Sequence, residues 1–95
     1  MDKIGALTKN LLYEKVAVIH NKETVAYVYV EKSLSDTDKL ERAFMLTNSI
    51  NDAWWNNEEV TKMVTGACRS TSTGDMVLIG TKKYMCEAVG WKEVE

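Results

Sequence analysis

The segment with the most concentrated polar chemistry is residues 69–75, RSTSTGD, where four hydroxyl side chains lie between an arginine and a Gly-Asp pair. Hydroxyls, a guanidinium and backbone amides together can bind an anion. The same residue types also build structural turns, because Ser and Thr bond to nearby backbone and glycine adopts positive φ. The sequence favours the structural interpretation. The alternative is an anion site made of Arg69, Ser70, Thr71, Ser72 and Gly74, with Lys82 and Lys83 as further cations.

Residues for catalysis are sparse. The sole histidine, His20, ends a predicted strand beside a turn, and we interpret it as an ordinary exposed strand-end residue. Cys68 and Cys86 are interpreted as reduced, half-buried thiols, since two cysteines are too few for a disulfide scaffold. The chain has no HExxH, P-loop, GxGxxG or GxSxG motif. We therefore predict no metal, no cofactor and no enzymatic activity, with an enzyme of unknown type left as an alternative.

The middle of the chain is acidic, which is more typical of a solvated helix face; the alternative is a surface that binds a basic partner protein. Residues 33–60 contain six acidic and two basic side chains, a net charge of −4, whereas the whole chain carries −2. Two adjacent tryptophans follow the predicted helix, and an exposed tryptophan is a common interface anchor. A local turn that buries both rings is equally compatible with the sequence. The predicted partner-binding residues are Asp52, Trp54, Trp55, Glu58 and Glu59.

Nucleic acid is a weaker candidate partner. Basic residues are not clustered along the sequence, so binding to a duplex is disfavoured. Tyr27 and Tyr29 alternate on one strand face and could stack on single-stranded bases. Their flanking residues, Glu23 and Glu31, are acidic, so we predict that both tyrosines pack in the core. Trp91 is also predicted to fill the core.

The elements that must position these residues follow from hydrophobic periodicity. Alternating β-branched residues predict a hairpin from strands 11–20 and 24–31. A 3.6-residue apolar spacing predicts an amphipathic helix over 36–50, capped by Ser35. Residues 60–65 are a short strand or a connection, and residues 66–75 a loop. Strands at 76–79 and 82–89 follow, with a terminal strand indicated at 91–94.

This order, β-β-α-(β)-β-β, predicts an α+β fold in which one helix packs on one face of a mainly antiparallel sheet. Ninety-five residues are expected to form a single domain, 1–95. The longest apolar runs are too short to span a membrane, and MDKIGALTKN lacks the apolar region of a signal peptide. We therefore expect a cytoplasmic protein.

The C-terminal third also resembles a family. RSTSTGD, the apolar strand 76–79, Tyr84 and Cys86, and the closing VGWKEV are similar to a pattern in small uncharacterised bacteriophage and mobile-element proteins, including YodL-like domains. The resemblance covers residues 67–95, and less specifically the helix with its two tryptophans. Thr73 and Trp91 depart from the commoner Val and Phe. No activity carries over, but the resemblance implies a phage or mobile-element protein in a bacterial cytoplasm.

The predicted function is therefore a non-enzymatic binding module that modulates a protein of the bacterial host. The alternative is a binder of a small ligand or single-stranded nucleic acid that uses residues 69–75. The sequence leaves open a homodimer through an unpaired edge strand.

Overall fold

The computed structural model describes residues 12–49 and 52–94, which form a six-stranded antiparallel sheet and, within those residues, one α-helix. The strands are β1 (Tyr13–His20), β2 (Glu23–Glu31), β3 (Val60–Lys62), β4 (Met76–Ile79), β5 (Lys82–Cys86) and β6 (Trp91–Val94). The helix α1 (Asp36–Leu46) lies between β2 and β3 in the chain, and a 3₁₀ turn (Trp54–Asn56) follows it. The predicted α+β class is confirmed, and the terminal strand forms.

The strand order β3-β2-β1-β4-β5-β6 places β1 near the middle of the sheet. β1 and β2 form a hairpin because Asn21 and Lys22 both adopt positive φ, the backbone that a two-residue turn of this twist requires. β4 pairs with the other side of β1, with Met76 opposite Ile19. Residues 63–75 therefore carry the chain from the β3 edge back to the end of β1, where His20 lies.

The helix begins where the sequence predicts and ends four residues early. The Ser35 hydroxyl accepts a hydrogen bond from the Asp38 N–H at 3.2 Å, the arrangement expected of an N-cap. At the other end, the Thr47 hydroxyl donates to the Ala43 carbonyl at 2.8 Å, and Thr47 itself leaves the helical conformation. Residues 50 and 51, at the end of the predicted helix, lie outside the described residues.

The core lies between α1 and one face of the sheet. Register pairs Val16 with Val28 and Val18 with Val77, so these valines share a face. Leu40 and Ala43 of α1 belong to the same buried cluster. Trp91 packs against this cluster, in line with its predicted role.

The opposite face of the sheet carries the two tyrosines. Tyr27 pairs with Ala17 and Tyr29 with Lys15, the alternate positions to the core valines, and both rings are half-buried. The Lys15 ammonium lies 4.5 Å from the centre of the Tyr27 ring. The prediction that these tyrosines pack in the core was wrong, because the period of the strand places them on the side away from α1.

α1 has eleven residues and is too short to cross a membrane, and no helix elsewhere in residues 12–49 and 52–94 is long and apolar enough to do so.

Candidate functional site

An acidic surface is formed by exposed residues of α1 and of the segment that follows it. We call it the acidic helical surface and define it by five exposed residues, Asp38, Glu41, Met45, Asp52 and Glu58. Met45 is its apolar centre, with 48% of the residue exposed. The fold produces this arrangement because the apolar stripe of α1 faces the sheet and the remaining positions face solvent.

Two grooves meet at Met45. One, of about 330 Å³, is lined on the far side by Asp52, Ala53 and Asn56, which follow the helix. The other, of about 410 Å³, runs along α1 past Asp38, Glu41 and Arg42. A flexible thioether between two grooves, each lined by at least one carboxylate, can adapt to an apolar side chain of a partner.

Glu59, one of the predicted partner-binding residues, forms an ion pair with Arg42 of α1. Its carboxylate lies 3.5 Å from the guanidinium of Arg42, and both side chains are partly exposed. An exposed ion pair of this kind contributes little stability. It does reduce the negative charge that Glu59 would present, so Asp52 and Glu58 are the freer acids of this region.

Trp54 does not belong to the surface. The 3₁₀ turn points its ring inward, where 1% of the residue is exposed. Its indole N–H donates to the carbonyls of Cys68 and Arg69 at 3.1 and 3.0 Å. The prediction that Trp54 binds a partner was therefore wrong, because the buried ring cannot contact a partner and its N–H already has two acceptors. Residues 54–56 instead form a local turn, the alternative that the sequence left open.

Trp55 is half-buried beside it. Its ring meets Trp54 edge-on, with the centroids 5.3 Å apart, and the Lys62 ammonium lies 4.1 Å from its centre. The ring packs against the core cluster. Trp55 lines neither of the grooves beside Met45.

The 69–75 loop is tied together by Arg69 and Asp75. The guanidinium donates to both carboxylate oxygens of Asp75, at 2.6 and 2.7 Å, and the Ser72 N–H donates to the same carboxylate at 2.8 Å. The residues of the alternative anion site are thus brought together, but their polar groups bond to one another. Asp75 already occupies the position that an external anion would take.

The loop hydroxyls have internal partners as well. The Ser70 hydroxyl accepts from the Ser49 N–H at 2.9 Å, and the Ser72 hydroxyl accepts from Arg69 at 3.3 Å. Gly74 has φ +95° and donates its N–H to the Cys86 carbonyl, so it serves the turn into β4. Lys82 and Lys83 are adjacent on β5 and therefore point to opposite faces of the sheet.

His20 is buried rather than exposed, contrary to the prediction. Its Nε2 lies 2.9 Å from the Thr71 hydroxyl and 3.6 Å from the Asp75 carboxylate, and 5% of the residue is exposed. The Cys68 sulfur lies 3.9 Å from Nδ1 on the other side of the ring. Thr71 is 51 residues away in sequence. The sequence around His20 does not predict this environment. It forms because residues 63–75 bring Cys68, Thr71 and Asp75 back to the end of β1.

Burial and charge shift two pKa values in this cluster. Burial lowers the pKa of His20 below its ordinary 6.5; the Asp75 carboxylate opposes that shift and the Arg69 guanidinium adds to it. Burial acts to raise the pKa of Asp75, but hydrogen bonds from Arg69 and the Ser72 N–H outweigh it, so the pKa lies below the ordinary 3.8. At neutral pH the ring is therefore uncharged and the carboxylate is ionised.

The free energy of unfolding should fall between pH 7 and pH 5 because of His20. Above pH 6.5 the ring is neutral in both states, whereas below it the unfolded chain binds a proton that the folded chain does not. The expected slope approaches 1.4 kcal/mol per pH unit at most. Urea unfolding at several pH values measures it. His20→Gln should flatten the curve over this interval, and an equal slope in that variant would contradict the assignment.

The described residues give no sign of a metal centre. Within residues 12–49 and 52–94, no group of three or more His, Cys, Asp or Glu side chains could hold a metal ion. Cys68 and Cys86 are both free thiols.

No protein-family model, curated protein or solved structure matches the chain. The resemblance of residues 67–95 to small phage proteins stays a prediction.

Proposed function

We propose that the chain is a protein-binding module without an enzymatic activity of its own, which binds a basic and apolar segment of a partner through the acidic helical surface. Following the resemblance, we further propose that it acts in a bacterial cytoplasm on a host protein. The observation that carries the proposal is the exposed Met45, which two grooves share and acidic side chains surround.

The chemistry of the surface defines the partner. Asp38, Glu41, Asp52 and Glu58 are exposed and of one sign, so they attract Lys or Arg side chains and accelerate encounter. Met45 provides a site for an apolar side chain between them. A partner segment with one apolar anchor flanked by basic residues would match both features.

The alternative function, a binder of small anions or single-stranded nucleic acid through residues 69–75, is less well supported. The Arg69 guanidinium is already held at both oxygens of Asp75. An incoming phosphate would have to compete with a carboxylate that is part of the same chain. The loop serves the protein's own stability in this arrangement.

Capture from bacterial lysate tests the proposal. We expect the wild-type chain to retain a protein, and Met45→Lys to retain at least about tenfold less, since a lysine would repel basic side chains and remove the apolar anchor. Met45 is exposed, so the substitution should change the free energy of unfolding by only about 0.5 kcal/mol. Retention should also weaken as salt is raised.

Met63→Lys is the matched control. It makes the same neutral-to-positive change at a methionine that is 51% exposed and lines neither groove. We expect this variant to retain the partner as the wild type does. A partner held equally by Met45→Lys, or no captured protein at all, would overturn the proposal.

A further inference from the structure

Cys68 lies in a different part of the molecule, against the buried ring of His20. Its sulfur is 3.9 Å from Nδ1, within hydrogen-bond distance for sulfur, and the residue is partly exposed. On the opposite side of the ring, Nε2 lies 3.6 Å from the Asp75 carboxylate. Thiol, imidazole and carboxylate thus follow one another, and none of them belongs to the acidic helical surface.

The hydrogen bonds around Thr71 determine which ring nitrogen carries the proton. The Thr47 hydroxyl donates to the Ala43 carbonyl, which can only accept. Thr47 must then accept from the Thr71 hydroxyl, 2.7 Å away. With its own hydrogen committed, the Thr71 oxygen accepts from His20 Nε2 at 2.9 Å.

Asp75 selects the same tautomer independently. Its carboxylate faces Nε2, and a negative oxygen favours a hydrogen on the nitrogen next to it. The proton of the neutral ring is therefore on Nε2. Nδ1 keeps its lone pair, which is directed at the Cys68 sulfur.

We propose that Cys68 is a base-assisted nucleophilic thiol, a modification site for small electrophiles such as hydroperoxides, with His20 as the base and Asp75 as the group that stabilises its protonated ring. This arrangement meets the geometric requirement of an activated nucleophile: a base within reach of the thiol, oriented by its hydrogen bond to Thr71 and faced by the Asp75 carboxylate. The proposal is independent of the partner-binding surface.

The reaction is a single displacement. The thiol proton moves to Nδ1 while sulfur attacks the terminal, hydrogen-bearing oxygen of the hydroperoxide, so that an S–O bond forms as the O–O bond breaks. The proton from Nδ1 then passes to the leaving oxygen, which gives an alcohol or water. Sulfur is oxidised to a sulfenic acid and the peroxide is reduced, so the step needs no other reagent.

Iodoacetamide is the probe for the test, because it reports the same nucleophile by forming a C–S bond and releasing iodide. Mass spectrometry of the full chain, followed over time at pH 7, gives a separate alkylation rate for each cysteine. We expect His20→Gln to lower the rate at Cys68 about tenfold, because an ordinary thiol is only a few per cent ionised at this pH.

Cys86 is the internal control. It is buried, and burial raises the pKa of its thiol, so it should react slowly in both proteins. If His20→Gln unfolded the chain, Cys86 would become as reactive as Cys68, which identifies that outcome at once. A folded variant that keeps the wild-type rate at Cys68 would overturn the proposal.

The wild-type protein alone provides a second measurement. Urea unfolding separates Cys68 from His20, so at pH 7 the same thiol should react at least about fivefold faster in the folded chain than in the unfolded chain, although folding partly buries it. A folded chain in which Cys68 reacts no faster than in urea would also overturn the proposal.

Discussion

Trp54→Ala is expected to lower the free energy of unfolding by about 3–5 kcal/mol, the cost of truncating a buried aromatic side chain. The ring is the largest fully buried side chain of the described residues, and its indole N–H bridges the carbonyls of Cys68 and Arg69. Removal leaves a cavity and two carbonyls without that donor. Domains of this size are stable by only about 5–15 kcal/mol, so the variant should unfold at low urea concentration.

Trp55→Ala is the control for this prediction. The neighbouring ring is half-buried and covered by a lysine, so its loss should cost clearly less than that of Trp54. Urea unfolding of the two variants, followed by circular dichroism, compares them directly. Equal losses would contradict the inward orientation of Trp54.

Asp75→Asn is expected to lower the free energy of unfolding at pH 7 by about 2–3 kcal/mol, the scale of hydrogen bonds to a buried charged group. Both carboxylate oxygens accept hydrogen bonds, and 4% of the residue is exposed. An amide nitrogen at either position would meet another donor. Because Arg69 is itself about half exposed, the loss should stay below that of a fully buried ion pair.

The pH dependence of the free energy of unfolding provides a second test of this prediction. The pKa of Asp75 lies below 3.8, so its contribution is complete above that value and is lost as the pH falls through the lower folded pKa. Asp75→Asn should remove this part of the acid transition. Asp52→Asn, at an exposed carboxylate bonded to the Ala53 N–H, should change stability little. A similar loss in both variants would contradict the role given to Asp75.

Local pattern was sufficient to predict the fold. The hairpin follows from alternating valines around a polar turn, and α1 follows from its apolar stripe and the Ser35 cap. The end of α1 was not predictable, because Thr47 leaves the helix to bond with Thr71, which is 24 residues away. This contact joins residues that are far apart in sequence, so hydrophobic periodicity cannot predict it.

The candidate site was predictable only in part. The acidic region was visible as charge along the chain, and Asp52 and Glu58 are indeed exposed. The burial of Trp54 and His20 was not visible, because both depend on residues 68–75 returning across the molecule. The sequence of that segment alone predicts a polar loop. The hydrogen bonds that bury it are made with residues elsewhere in the chain, such as His20, Ser49 and Trp54.

The return of residues 66–75 to β1 also bears on the order in which the chain folds. The Thr71 N–H donates to the Thr47 carbonyl, and its hydroxyl lies between Thr47 and His20, so its partners come from the residue that follows α1 and from β1. Those partners are far apart in sequence, and joining them costs chain entropy before any bond is gained. We therefore expect the loop to become ordered only after the hairpin and the helix have come together.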